Sequence, residues 1–152
     1  MNKALHDGII RDVTQKLDEL NIDVYLILTS EGSDPVTAFI PGVGTVGAGA
    51  FAFTRSGKRY ALSTKIDAQD IAESGLFDEV VRYDSFEDAL GQLMAKLSPK
   101  VIALNQSMDD PRCDGLTVGR RQWLADAIPK GAEWTAVSSD GFLPELFERY
   151  GA

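Results

Sequence analysis

Val24-Tyr25-Leu26-Ile27-Leu28 is an unbroken apolar run carrying β-branched and aromatic side chains, with Asp23 before it and Thr29-Ser30 after it. A strand with one face in water alternates apolar and polar residues. A strand with no polar position has to be covered on both faces. The run therefore demands a layered α/β domain in which it lies near the middle of the sheet, with helices above and below.

The rest of the chain supplies those layers. Residues 3–20 place Leu5, Ile9, Val13, Leu17 and Leu20 at three- and four-residue steps, one apolar stripe on a charged helix that Asn21 ends. Thr29 to Pro35 reads as a polar loop, Val36 to Ile40 as a short strand or a helical turn, and Pro41 to Gly49 as glycine-rich. Ala50-Phe51-Ala52-Phe53-Thr54 alternates small and large residues, and Arg59-Tyr60-Ala61-Leu62-Ser63 returns after the turn at Arg55-Lys58 as the second arm of a hairpin. Helix and strand then alternate: a helix from Ile66 to Ser74 closed by Gly75, a strand Glu79–Tyr83, and a helix Ser85–Leu97 stopped by Pro99. A strand Val101–Leu104, a helix over 115–128 with Asp114 as its cap, a strand Trp134–Val137 and a last helix Phe142–Tyr150 complete the order. In the second of these helices Ser85 and Asp88 have the spacing of a capping box. A hairpin followed by β-α-β-α-β predicts a mixed β-sheet with helices on both faces, and 152 residues make one domain.

Composition removes several functions. With one histidine, His6, and one cysteine, Cys113, the chain has neither an internal disulfide nor the donors of common zinc and iron sites. Fifteen basic against 23 acidic residues, a formal net charge of −8, argues against binding to nucleic acid. No apolar run approaches the ~20 residues of a membrane helix. Met1-Asn2-Lys3-Ala4-Leu5-His6-Asp7 has no hydrophobic signal core, so a cytoplasmic protein is expected.

The motifs with chemical potential each have a competing structural explanation. Gly42-Val43-Gly44-Thr45-Val46-Gly47 matches G-x-G-x-x-G, but a dinucleotide site needs a helix directly afterwards, and a hairpin strand follows instead. A glycine loop at 42–49 feeding a strand is the preferred reading, with a free-standing nucleotide-binding domain as the alternative. Asp109, Asp110 and Asp114 are candidates for a magnesium or calcium site, yet helix capping explains them better. His6 and Asp7 are adjacent on a helix and do not face each other. Arg112 and Arg120 would lower the pKa of Cys113 if they approached it, but no base stands beside it in sequence, so a spectator thiol is expected. Trp123, Trp134, Phe51, Phe53 and Phe86 are assigned to the core, with an interface as the other option.

Glu31-Gly32-Ser33-Asp34-Pro35 follows the central strand, and ligands of open α/β sheets gather beyond strand ends. An Asx-type turn accounts for Ser33, Asp34 and Pro35, while the loop remains the first choice for contact with a partner or substrate.

Asp23 to Pro35, Thr45 to Thr54 with Gly57, Lys65-Ile66-Asp67-Ala68-Gln69-Asp70, Val101 to Asn105 and Asp114-Gly115-Leu116-Thr117, in that order, resemble the amino-terminal domain of the creatinase, prolidase and aminopeptidase P family. The family's Tyr-Leu-Thr-Gly-Phe stretch is absent; Thr37-Ala38-Phe39 stands in its place. The resemblance implies a ribonuclease H-like creatinase N-terminal domain that precedes a "pita-bread" catalytic domain absent from these residues. It implies that a divalent metal pair belongs to that missing domain, and that this chain holds no catalytic, cofactor-binding or metal-binding residue. The implied partners are the C-terminal catalytic domain of the same polypeptide and a second copy in a homodimer, where this domain lines the neighbour's substrate pocket. Glu31, Ser33, Asp34, Phe39 and Thr45 are the candidate pocket or subunit contacts on this basis. A stand-alone protein-interaction module is the remaining alternative. The nuclease chemistry of the fold's namesake needs carboxylates around two metals, whereas the central strand carries only Asp23, at its start.

Overall fold

A computed structural model describes residues 1–151. The elements run α1 (Lys3–Glu19), β1 (Val24–Ser30), β2 (Ala48–Thr54), β3 (Arg59–Ser63), α2 (Lys65–Glu73), β4 (Glu79–Arg82), α3 (Phe86–Leu97), β5 (Val101–Leu104), α4 (Val118–Ala127), β6 (Thr135–Ser138) and α5 (Leu143–Tyr150). Short 3₁₀ turns at Pro35–Ala38, Pro111–Cys113 and Ser139–Gly141 follow β1, β5 and β6. No described helix is long and apolar enough to cross a membrane.

The strand order is β4-β3-β2-β1-β5-β6, so the apolar run lies in the interior of the sheet. β1 pairs antiparallel with β2 and parallel with β5, and its register with β2 runs from Val24↔Thr54 to Ser30↔Ala48. β1 thus extends two residues past the apolar run, because Thr29 and Ser30 still find partners in Gly49 and Ala48. β2–β3 is the antiparallel hairpin, while β3–β4 and β5–β6 are parallel.

Period-two alternation divides the sheet into two cores. Tyr25, Ile27, Phe51, Phe53, Ala61 and Ala103 face Ile9, Ile10, Val13 and Leu17 of α1, Ile71 of α2, and Leu143, Leu146 and Phe147 of α5. Val24, Leu26, Leu28, Ala50, Ala52, Leu62, Ile102 and Leu104 face Leu90, Leu93 and Met94 of α3 and Leu124 of α4. The Ala-Phe alternation in β2 therefore serves both layers: the phenylalanines enter the core under α1 and α5, and the alanines enter the core under α3 and α4. Each fully buried Phe, Leu or Ile contributes roughly 1.5–3 kcal/mol from removal of apolar area from water. Trp123, Trp134 and Phe86 pack half-buried at the edge of the α3–α4 core.

Local signals behave as their chemistry dictates, with one correction. Asn2, Thr64 and Ser85 cap α1, α2 and α3, the last by accepting from Asp88 N at 3.2 Å. Residues 36–40 resolve as the helical-turn alternative, with Asp34 as cap and Pro35 at the first position of the turn. The helix expected over 115–128 starts only at Val118, and its cap is Thr117, which accepts from Arg120 N at 3.3 Å. Asp114 is used elsewhere, accepting from Ser107 N at 3.0 Å, and Leu116 N is drawn to Asn105 O at 2.9 Å, which keeps residues 114–117 out of the helix. At the other end Ile128 is extended, as the residue before Pro129 tends to be.

Candidate functional site

The chain leaves β1 toward β2, β3 and β4, then returns to the opposite side of β1 as β5 and continues outward to β6. β1 and β5 are thus neighbouring parallel strands whose connections run in opposite directions. The gap beyond their carboxyl ends is where open α/β sheets place ligands. The segments after β1, β5 and β6 meet above it.

Side chains of this protein fill that gap. Asp34, 1% exposed, puts Oδ1 on Val36 N at 3.1 Å and Oδ2 on Asn105 Nδ2 at 2.7 Å. Its backbone N donates to Thr29 Oγ1 at 3.3 Å, and its carbonyl accepts from Thr37 Oγ1 at 3.0 Å. Tyr25, fully buried in β1, donates its hydroxyl to Asn105 Oδ1 at 2.7 Å. Burial raises the carboxyl pKa of Asp34, opposed by the hydrogen bonds from Asn105 and Val36. Burial likewise pushes the buried Cys113 thiol up to about 11, so the neighbouring Arg112 does not activate it. Arg120 instead lies 3.4 Å from the Trp123 ring centroid.

Outside this plug a shallow apolar depression of about 420 Å³ is lined by Pro35, Val36, Phe39, Pro111, Arg112 and Phe147. Phe39 packs against Phe147 with tilted rings, centroids 5.1 Å apart, and its carbonyl accepts from His6 Nδ1 at 3.0 Å. The sole histidine is thus half-buried and holds the amino end of α1 against this loop. Arg112 places its guanidinium carbon 4.9 Å from the Phe147 ring centroid and pairs with Asp110 at 2.8 Å.

The candidate contact residues separate into three places. Asp34 and Phe39 belong to the plug and the depression. Glu31 and Ser33 lie on the exposed turn above them, where Ser33 N donates to Ser30 O at 3.0 Å and Glu31 and Gly32 both have positive φ, 54° and 69°. Thr45 is buried beside Gly49, the residue of β2 that pairs with Thr29. The glycine loop next to it is engaged with Asp67: Val46 N and Gly47 N both donate to that carboxylate, at 3.0 and 3.1 Å. The peptide N–H groups that would cradle a phosphate already hold an internal anion, and β2 rather than a helix follows.

Sequence reasoning did not pick out Asn105, Gly115 or Asp67. A polar amide directly after the apolar strand Val101–Leu104 was the available signal for Asn105. Thr64 and Asp67 have the spacing of a helix cap, but nothing local marks the bonds of Asp67 to Val46 and Gly47 or the approach of Gly115 to Asp34.

The described donors do not fit a divalent metal pair, which the resemblance assigns to the other domain. Among the described residues no three His, Cys, Asp or Glu side chains converge. Both oxygens of Asp34 and of Asp67 are taken by N–H groups. Asp110 accepts from Arg112 N, and Asp23 accepts from Lys100 N and Val101 N at 2.9 Å.

No family model matches the chain, and no curated protein matches it. Solved structures do. An Xaa-Pro dipeptidase from Bacillus anthracis superposes with a TM-score of 0.64 at 19% identity over 93% of this chain and 35% of its own. An X-Pro aminopeptidase from Thermotoga maritima gives 0.69 at 18% identity, over 90% of this chain and 35% of its own. The isolated N-terminal domain of an Xaa-Pro dipeptidase from Lactobacillus brevis gives 0.64 at 14%, over 92% of this chain and 98% of that one. The chain thus spans about a third of the length of the first two proteins and nearly all of the third.

These observations define a three-layer α/β domain built on a mixed six-stranded sheet. More narrowly, its fold is the one that forms the N-terminal domain of Xaa-Pro dipeptidases and aminopeptidases, as the sequence resemblance implied.

Proposed function

We propose that this chain is the non-catalytic N-terminal domain of a metal-dependent, Xaa-Pro peptidase-like hydrolase acting in the cytoplasm. It joins a C-terminal catalytic domain in the same polypeptide, assembles as a homodimer, and lends the turn at Glu31 and Ser33, the Asp34 plug, Phe39 and the loop around Thr45 to the wall of a substrate pocket. The metal pair and the bond-breaking groups belong to the other domain.

The observation that carries this reading is the fold match to a domain solved in isolation and also as about a third of two longer peptidases. The filled gap between β1 and β5 supports it, because the position that would bind a ligand in a self-sufficient α/β enzyme is closed by Asp34 and Asn105. The depression lined by Phe39 and Phe147 supplies an apolar surface for a neighbour instead. Purified residues 1–152 are expected to leave Xaa-Pro dipeptides intact with or without divalent metal, while the protein of the complete reading frame cleaves them. Metal-dependent turnover by residues 1–152 alone overturns the reading.

A further inference from the structure

The buried series Asp34, Asn105, Tyr25 has a direction. A carboxylate only accepts, so the Asn105 amide must turn its nitrogen to Asp34 Oδ2, at 2.7 Å, and its oxygen to Tyr25, which then must donate, at 2.7 Å. A proton on Asp34 reverses that logic. Oδ2–H would face Nδ2–H, donor against donor, in a site with no water contact to compensate. Turning the Asn105 amide over repairs the clash. Oδ1 then accepts from Asp34, Nδ2 donates to the Tyr25 oxygen, and the Tyr25 hydroxyl proton needs a new acceptor.

One is in place. Ser139, fully buried in the turn after β6, lies within weak hydrogen-bonding reach of both Tyr25 and Cys113, yet its Oγ has no partner at normal hydrogen-bond geometry among the described residues. We infer that Asp34, Asn105, Tyr25 and Ser139 form a reversible hydrogen-bond relay whose direction is set by whether Asp34 carries a proton. The proton comes from solvent past the exposed turn at Glu31–Ser33, no covalent bond breaks, and each polar atom of the relay has a partner in the reversed state. The orphaned Ser139 hydroxyl is explained as the acceptor of that second state.

The relay ties the three segments above the sheet into one unit, so protonation at the loop after β1 is read at the turn leading into α5. The titratable groups facing it are Tyr25 from β1 and Cys113 from the turn after β5. Burial raises both pKa values, Cys113 to about 11, so neither ionises in the range where Asp34 titrates. Asp110, Asp140 and Arg112 act on Cys113. The inference stands whether or not the chain belongs to a peptidase.

The experiment is an NMR titration of the Asp34 carboxyl carbon in the 152-residue chain, with the Asn105 side-chain amide followed in parallel. The relay requires one shared midpoint, above the ordinary aspartate value, with the Asn105 shift tracking it. Ser139→Ala removes the acceptor that only the protonated state engages at full strength. Its midpoint is expected to fall by roughly 0.7 pH unit, a fivefold loss of proton affinity, the net worth of one buried hydrogen bond. In a Tyr25→Phe background the same substitution is expected to leave the midpoint unmoved, because the path to Ser139 is already cut. Should Ser139→Ala not fold, Ser139→Cys, similar in size and a weaker acceptor, gives a shift in the same direction. An Asn105 amide that ignores the Asp34 midpoint, or a midpoint indifferent to Ser139 in the otherwise natural chain, overturns the relay.

Discussion

Gly115 touches Asp34: a Cβ built on Gly115 lies 2.3 Å from Asp34 Oδ1 and 2.6 Å from its carboxyl carbon. The glycine serves a close approach, since its φ is not in the left-handed region. Asp34 cannot swing away without giving up Val36 N and Asn105. Gly115→Ala is expected to destabilise the fold by about 2 kcal/mol, the usual cost of overfilling a tight site. Gly119, inside α4, meets nothing within 4 Å of its built Cβ. There the same change is expected to stabilise by about 0.5–1 kcal/mol, the helix preference for alanine. Urea unfolding of the two variants reads both, as midpoint shifts of opposite sign at constant slope.

Asp67 makes the corresponding closure on the glycine loop. It accepts from Val46 N, Gly47 N and Thr64 Oγ1, and its own N donates to Thr64 Oγ1 at 3.2 Å. Asp67→Ala leaves part-buried donors to solvent and is expected to cost about 1 kcal/mol. Amide exchange of Val46 and Gly47 should accelerate selectively. With Asp67 intact, calorimetric titration of NAD or ATP is expected to give no binding heat, and micromolar affinity lost on Gly44→Val would restore the nucleotide reading of this loop.

Acid affects two carboxyls in opposite senses. The hydrogen bond from Arg59, 2.7 Å away, holds the Asp7 carboxyl below its ordinary value of 3.8, with Arg11 adding to the effect. The unfolded chain binds that proton more tightly, so the stability from Asp7 is present above 3.8 and lost as pH falls through the depressed folded value. Asp34 has a raised folded value, so its contribution is fully present below 3.8 and is lost as pH rises from there through the raised folded value. Asp7→Asn is expected to lower stability by about 1 kcal/mol near neutral pH, with the deficit shrinking as the wild-type carboxyl protonates. Urea unfolding at neutral and strongly acidic pH measures the two deficits; equal ones at both would remove Arg59 from the account.

The layers were legible because burial leaves a periodic mark. The apolar run from Val24 to Leu28 located the middle of the sheet, the Phe51–Phe53 alternation located its hairpin, and the stripe from Phe86 to Leu97 located α3. The start of α4 was not legible, because Asp114 and Thr117 are both good caps and the choice was made by Ser107 N and Asn105 O, distant contacts without local signature. The plug followed the same rule. Asp34 was visible as a polar residue after a buried strand, but Asn105, 71 positions on, became its partner only through the parallel pairing of β1 with β5. Thr45, grouped with Asp34 by the resemblance, is buried beside Gly49, which pairs with Thr29 across β1 and β2.

Glu31 separates a pocket-wall role from a folding role. It is exposed and sits at φ 54°, a conformation in which a side chain is strained, followed by Gly32 at 69°. Glu31→Gly keeps that backbone conformation without strain and removes only the carboxylate. The isolated domain is therefore expected to unfold at the same or a slightly higher urea concentration, by up to about 1 kcal/mol. If the turn lines a substrate pocket in the complete protein, the same change moves KM among dipeptides differing in charge at the residue before proline, while kcat is held. Asp34→Ala is the contrast, since it removes a buried acceptor and is expected to cost about 2–3 kcal/mol before any effect on substrate is read. A Glu31→Gly protein of natural stability and unchanged KM across charged and neutral dipeptides would take the turn out of the pocket wall.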